Sequence, residues 1–137
     1  MKIFIILIVS ICTASVFAKE LSMKVAVISN GNTTIFKLNN SDASKELYEQ
    51  LPLQVKVENY STNEKIFYPP NKLVTVSTPK ANAKNGTLVY YAPWGNVLMF
   101  YKDFGSASGL YELGFVESGK EYIKTLSGII EIHKVEN

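Results

Sequence analysis

The sequence predicts one mainly β domain, a closed barrel or a sandwich of roughly seven or eight short strands with two short helices. Three observations carry this. Short apolar runs, several of them strictly alternating with polar residues, recur along the chain. Turn clusters rich in Asn, Gly, Ser and Pro separate them. Helical spacing of apolar residues occurs in only two short stretches. The chain has 137 residues, 47% hydrophobic and 19% charged, which is one ordered domain and neither a disordered nor a fibrous composition.

The N-terminus is expected to lie outside that domain. Lys2 is followed by the apolar run Ile3–Ile11, and Val16 and Ala18 occupy the −3 and −1 places of a signal-peptidase site. Residues 1–18 therefore read as a secretory signal, leaving residues 19–137 as the domain and a secreted or periplasmic location. The apolar stretch is short of the ~20 residues that a membrane-spanning helix needs. A lipid anchor on Cys12 is disfavoured, because the bulky Ile11 precedes it where lipoprotein processing takes a small residue. Cleavage removes Cys12, the single cysteine, as suits an oxidising compartment. About 120 residues remain, enough to bury roughly two-thirds of the unfolded surface.

In chain order, Met23 to Ile28 alternates as a strand, Asn30-Gly31 makes a hairpin turn, and Thr34 to Leu38 returns as its partner. Asn40 or Ser41 caps a helix to Gln50, with Ala43, Leu47 and Leu51 on one face and Pro52 as the stop. Leu53 to Glu58 alternates again as a half-buried strand. Asn59 to Lys65 is turn-like. Ile66-Phe67-Tyr68 runs into Pro69-Pro70, which reads as an edge strand or bulged exit. Lys72 to Ser77 is a candidate short strand, and Pro79 to Gly86 a polar loop. Leu88 to Tyr91 and Val97 to Tyr101 are dense apolar core strands around the turn Ala92 to Asn96. Asp103 to Gly109 reads as a flexible loop, and Leu110, Leu113 and Phe115 mark another strand. Ser118 to Leu126 fits a short helix stopped by Gly128, and Ile129 to Val135 closes the chain as a strand.

Composition removes many chemistries. A net charge of +2 argues against nucleic acid as a partner. One histidine and one cysteine argue against a zinc site, and no cofactor motif is present. His133 alternates with Ile132 and Val135 on the last strand and reads as a solvent-face or edge residue, without the partner that would orient a general base. No catalytic residue is assigned. The Lys- and Asn-rich, arginine-free composition points to an AT-rich, bacterial genome.

Aromatics are the enriched class: Tyr 8, Phe 7 and Trp 1. Trp94 lies in a Pro-Trp-Gly turn and reads as a lid over a barrel end or as a ligand or partner contact. Tyr68, Phe104 and Tyr111 flank loops, and a groove lined by them would hold an apolar or prolyl group. Glu64-Lys65 reads as an exposed turn pair or as the polar rim of a pocket. The candidate ligand-binding residues are thus Glu64, Tyr68, Trp94, Phe104 and Tyr111.

Three blocks carry a family resemblance by their order and spacing. They are Leu47 through Val57 around Leu51-Pro52-Leu53; Asn63-Glu64-Lys65-Ile66-Phe67-Tyr68-Pro69; and Gly86 to Tyr91 followed by Asn96 to Phe104, ending at Leu113-Gly114. Together they resemble the small bacterial cyclophilin-like proteins over nearly all of Met23 to Val135. The resemblance implies a closed eight-stranded cyclophilin-like β-barrel capped by two helices. The chain departs from the family pattern at Pro69-Pro70, where a Leu-Pro is usual, and at Glu112, where a basic residue is common.

Cyclophilins isomerise X-Pro bonds with an arginine beside a groove of aromatic and aliphatic residues. The uncatalysed barrier is ~18–20 kcal/mol, and catalysis requires the twisted amide to be held more tightly than the planar one. This sequence has no arginine, and lysine lacks its planar fork. The reading is therefore an exported, monomeric, non-catalytic module that binds a peptide or small ligand, with no stable membrane insertion after signal cleavage. The alternatives are a weak peptidyl-prolyl isomerase, or a structural or interaction subunit of the envelope that meets partners through Trp94 and a sheet edge near Ile66 to Tyr68.

Overall fold

The computed structural model describes residues 22–136. The signal segment, the cleavage position after Ala18 and Cys12 lie outside these residues. Eight antiparallel strands close into a barrel: β1 (Lys24–Ser29), β2 (Asn32–Leu38), β3 (Leu53–Tyr60), β4 (Glu64–Phe67), β5 (Thr87–Tyr91), β6 (Asn96–Phe100), β7 (Leu110–Ser118) and β8 (Gly128–Lys134). Their order around the barrel is β1-β2-β7-β5-β6-β4-β3-β8. One helix, α1 (Asp42–Glu49), and one 3₁₀ helix (Lys120–Thr125) accompany them.

Local chemistry explains most elements. Asn30 and Gly31 have φ of 50° and 76°, the positive values that a tight two-residue hairpin requires, and they set β1 against β2 from Ser29–Asn32 onward. Ser41 caps α1, its hydroxyl accepting from the Ser44 N–H at 3.2 Å. The helix is held to β7 by Asn39. Its Nδ2 donates to Glu112 O at 2.7 Å, while its Oδ1 accepts from Ser41 N–H and lies 2.7 Å from Ser44 Oγ.

Alternation sends Val25, Val27, Phe36, Leu38, Leu88, Tyr90, Val97, Met99, Leu113, Ile130 and Ile132 into the barrel, so that the interior is a packed core. Leu73 joins it from a loop whose N–H groups bond to side chains: Leu73 N–H to the Tyr90 hydroxyl at 3.0 Å, Val74 N–H to Glu46 at 2.6 Å. Residues 72–77 therefore form no strand. Both neighbours of every strand are already taken by barrel closure, and the loop's backbone is satisfied by α1 and Tyr90 instead.

Four other expectations are corrected. β4 is not an edge: it pairs with β3 on one side and β6 on the other, and Pro69-Pro70 begin after the strand has ended. It also starts at Glu64, so Glu64-Lys65 belong to the strand. The expected Ser118–Leu126 helix is a shorter 3₁₀ helix, which buries Ile123, and Gly128 opens β8 rather than stopping the helix. The Asp103–Gly109 loop is pinned, with paired bonds between Ala83 and Gly105 and an Asp103 side-chain bond to Asn85 N–H.

β7 bends by register shifts against β5, between Leu88 and Val89, and against β2, between Ile35 and Phe36. Between the two shifts lies Gly114. A Cβ there would stand 2.2 Å from Lys37 O and 3.0 Å from Leu38 Cα. Gly114→Ala is therefore expected to destabilise the protein by about 2 kcal/mol or more. Asn39→Ala is expected to cost about 2 kcal/mol through the abandoned Glu112 carbonyl and the loosened cap of α1. Urea unfolding of both variants measures these losses.

Candidate functional site

Strands β5 and β6 are buried on both faces. The inward residues fill the barrel. The outward ones, Val89 on β5 and Leu98 and Phe100 on β6, join Ile66 of β4 and Leu110 of β7 in a second apolar cluster. Residues 79–86 cover part of it. Ala81 and Ala83 are buried there, held by Ala81 N–H to Leu110 O at 3.0 Å and by the Ala83–Gly105 pair. The expected polar loop is thus docked through its small apolar residues.

Beyond Ala81 and Ala83 the outer face is open, and a cavity of about 270 Å³ lies on it. That is near the lower end of small-molecule sites, which begin at about 300 Å³. Its floor is Ile66, Leu98, Phe100 and Leu110. Glu64 and Asn63 mark one end, because Glu64 pairs across the sheet with Phe100. Asn96, Tyr91 and Trp94 mark the other. Asn96 and Phe100 are four residues apart on β6, so the ends are about 13 Å apart at about 3.3 Å per residue.

Aromatic rings make the walls. Trp94 meets Tyr60 edge-on, with centroids 5.4 Å apart at 88°, and Tyr91 at 5.5 Å and 73°. Phe104 lies 5.6 Å from Phe100. Trp94 thus stands on the outer face beside the cavity and does not cap the barrel end. Gly109 shapes the neighbouring loop: its φ is 87°, and a Cβ would stand 2.8 Å from Pro93 Cδ.

The cavity brings together Glu64, Trp94 and Phe104 of the five residues expected from sequence. Tyr68 lies past the end of β4, 52% exposed, and Tyr111 stands opposite Tyr90, whose ring points into the barrel. Neither lines the cavity. Tyr60, Asn63, Tyr91 and Asn96 do, and sequence reading passed over them. Period-two alternation was the usable signal, since it places Asn96 on the same face as Leu98 and Phe100. Glu112 does not line it, and its backbone is tied to Asn39 and Pro79. His133 is on β8, 3.2 Å from Glu131, whose carboxyl this hydrogen bond holds below its ordinary pKa.

Glu64 is the unusual group. It is 6% exposed and has neither a hydrogen-bond nor an ion-pair partner among the described residues. Burial pushes its pKa up. No Lys or His lines the cavity, and among the described residues no group of three potential ligands could hold a metal.

The model of the cyclophilin-like family matches residues 27–134. The chain belongs to the cyclophilin-like family. The match spans β2 through β8 entire and the second half of β1, so it covers the barrel and its outer-face cavity together. Among solved structures, this cyclophilin-like chain is similar to the solution structure of the hypothetical protein AF2241 from Archaeoglobus fulgidus. The TM-score is 0.64 at 11% identity, over 83% of this chain and 95% of that one. That likeness concerns the fold. No curated protein sequence matches the chain. The closed eight-stranded cyclophilin-like barrel expected from the sequence is the fold observed. Among the described residues no helix is long and apolar enough to cross a membrane.

The raised Glu64 pKa has a sign for stability. Between the ordinary carboxyl pKa and the raised one, the folded state binds more protons than the unfolded state. Stability therefore falls as pH rises through that interval and stays lower above it. Glu64→Gln is expected to be more stable than the parent at about pH 7, with the difference vanishing below about pH 4. Thermal unfolding at the two pH values checks this.

Proposed function

We propose that this cyclophilin-like protein is an exported, non-catalytic binding module that holds a peptide or small ligand in the outer-face cavity. One observation carries the non-catalytic part. The residues lining the cavity include no positively charged side chain, and its one carboxyl is a buried, unpartnered Glu64. Stabilising a twisted prolyl amide calls for a strong, fixed donor aimed at the reacting amide. Hydroxyls and neutral amides supply only weaker bonds there. The binding part is supported by shape: an apolar floor, aromatic walls and a few convergent polar groups describe a ligand site. Export is supported by the N-terminal pattern from Lys2 to Ala18.

The interaction-subunit reading loses one of its two footholds. At Ile66, β4 is paired with β3 on one side and β6 on the other and offers no free sheet edge, and Trp94, 48% exposed, is the part of it that remains.

The test is an NMR titration of isotope-labelled protein with a pool of X-Pro peptides, which reports binding and cis/trans exchange in the same spectra. The expected result is saturable shifts at Glu64, Trp94 and Phe104 with no catalysed exchange. Exchange at cyclophilin-like rates would refute the non-catalytic reading. Export is checked by the N-terminal residue of protein recovered from outside the cytoplasm, expected to be Lys19.

A further inference from the structure

The cavity carries a single charged side chain. Glu64 is 6% exposed, lines the cavity and has no partner among the described residues. Its carboxyl oxygens stay within reach of the cavity. Burial pushes its pKa up, and a cation set against it would reverse that cost. The remaining polar lining is neutral. Asn63 and Asn96 bury their side-chain oxygens out of reach, so a ligand meets their amide N–H groups as donors. The Tyr and Ser hydroxyls can turn either way. The lining therefore complements a ligand with one positively charged donor and neutral acceptors.

These groups also have a layout. Glu64 and Asn63 are sequence neighbours, with Cα atoms about 3.8 Å apart. Two polar groups read that close together belong to one small unit of the ligand. An ammonium and a carbonyl joined through one carbon fit: the ammonium donates to the Glu64 carboxylate, and the carbonyl oxygen accepts from the Asn63 amide. The floor of Ile66, Leu98, Phe100 and Leu110 takes an apolar substituent on that carbon, since Glu64 pairs across the sheet with Phe100. A carboxylate in the carbonyl's place would lie beside Glu64 with no cationic side chain lining the cavity to hold it, and like charges set together oppose binding.

Building on the ligand-pocket reading above, we infer that the cavity takes a free α-amino amide, with its ammonium at Glu64, its carbonyl oxygen accepting from the Asn63 amide and its side chain on the apolar floor. Two sources carry this chemistry: a small amino amide, or the unblocked N-terminus of a peptide. A peptide brings further carbonyls, and the Asn96 amide stands at the Tyr91–Trp94 end to meet one, about 13 Å or about four extended residues along the strand. Such a ligand differs in kind from an internal X-Pro segment, which has no ammonium to give Glu64.

NMR titration of protein expressed from the full-length chain, purified as the host delivers it, tests this with five probes. They are leucinamide, leucine, Nα-acetyl-leucinamide, 3-methylbutylamine and leucyl-trialanine amide. Leucinamide is expected to bind about tenfold tighter than its acetylated form, which has lost the ammonium, and Glu64→Gln to abolish that preference. It is expected to bind about tenfold tighter than leucine, whose carboxylate meets Glu64. It is expected to bind about threefold tighter than 3-methylbutylamine, which lacks the carbonyl, a margin lost in Asn63→Ala. The spectra of both variants report in the same experiment whether the barrel is intact. Leucyl-trialanine amide tighter than leucinamide assigns a peptide N-terminus, and no gain a small amino amide; the inference stands in both cases. Acetyl-leucinamide equal to leucinamide, or a preference unmoved by Glu64→Gln, overturns the inference and leaves the pocket standing. So does leucine or 3-methylbutylamine matching leucinamide, or binding of the X-Pro pool with none by these five probes. No binding by either set overturns the pocket reading as well.

Discussion

Closure of the sheet is the constraint on which the rest of this molecule depends. With eight strands joined in a ring, each backbone edge is paired and each strand has one inner and one outer face. The inner face is filled by large apolar side chains, among them Phe36, Phe67 and Met99, so it has no space for a ligand. Any site must then be built from the outward parity. On most of the barrel that parity is solvated. On β4, β5 and β6 it is apolar, and the chain spends residues 79–86 and 103–109 in covering only part of it. The cavity is the uncovered remainder.

This arrangement explains which parts of the sequence were readable. β1, β2 and β3 alternate cleanly because one of their faces is wet, so their limits fell within a residue or two of the observed ones. β5 and β6 carry unbroken apolar runs because both faces are buried. Such a run announces a core strand and conceals which residues point outward. Asn96 looked like the end of a turn for that reason. Glu64 looked like a turn residue because β4 has only four residues, and its polar start adjoins a polar connection. Tyr68 failed differently: it lies one residue past the strand, where alternation no longer fixes its direction. Tyr111 depends on the register of β7, which shifts against both neighbours and which no local pattern encodes.

The cavity also sets stability against polarity. An apolar pocket filled by Leu or Met in place of Glu64 would bury more hydrocarbon and abandon no polar group. The fold instead keeps a carboxyl at a position that is 6% exposed, with its charged form disfavoured by burial. Buried ionisable groups without partners are uncommon in purely structural settings and concentrate where something else completes them. The side-chain oxygens of Asn63 and Asn96 are buried nearby without a hydrogen-bond partner. A carboxyl kept at so little exposure on the cavity wall, without a partner among the described residues, argues that the cost is tolerated for what that face does.

The same polarity bears on both readings of the site. A prolyl isomerase groove must donate, because the twisted amide is held through hydrogen bonds given to it, and its charged donor must be fixed before substrate enters. The cavity on this barrel is lined by one carboxyl side chain, Glu64, and by no cationic side chain. The barrel tolerates such a lining because its main core fills the inner face, and residues of outward parity can change their chemistry without disturbing a ladder bond.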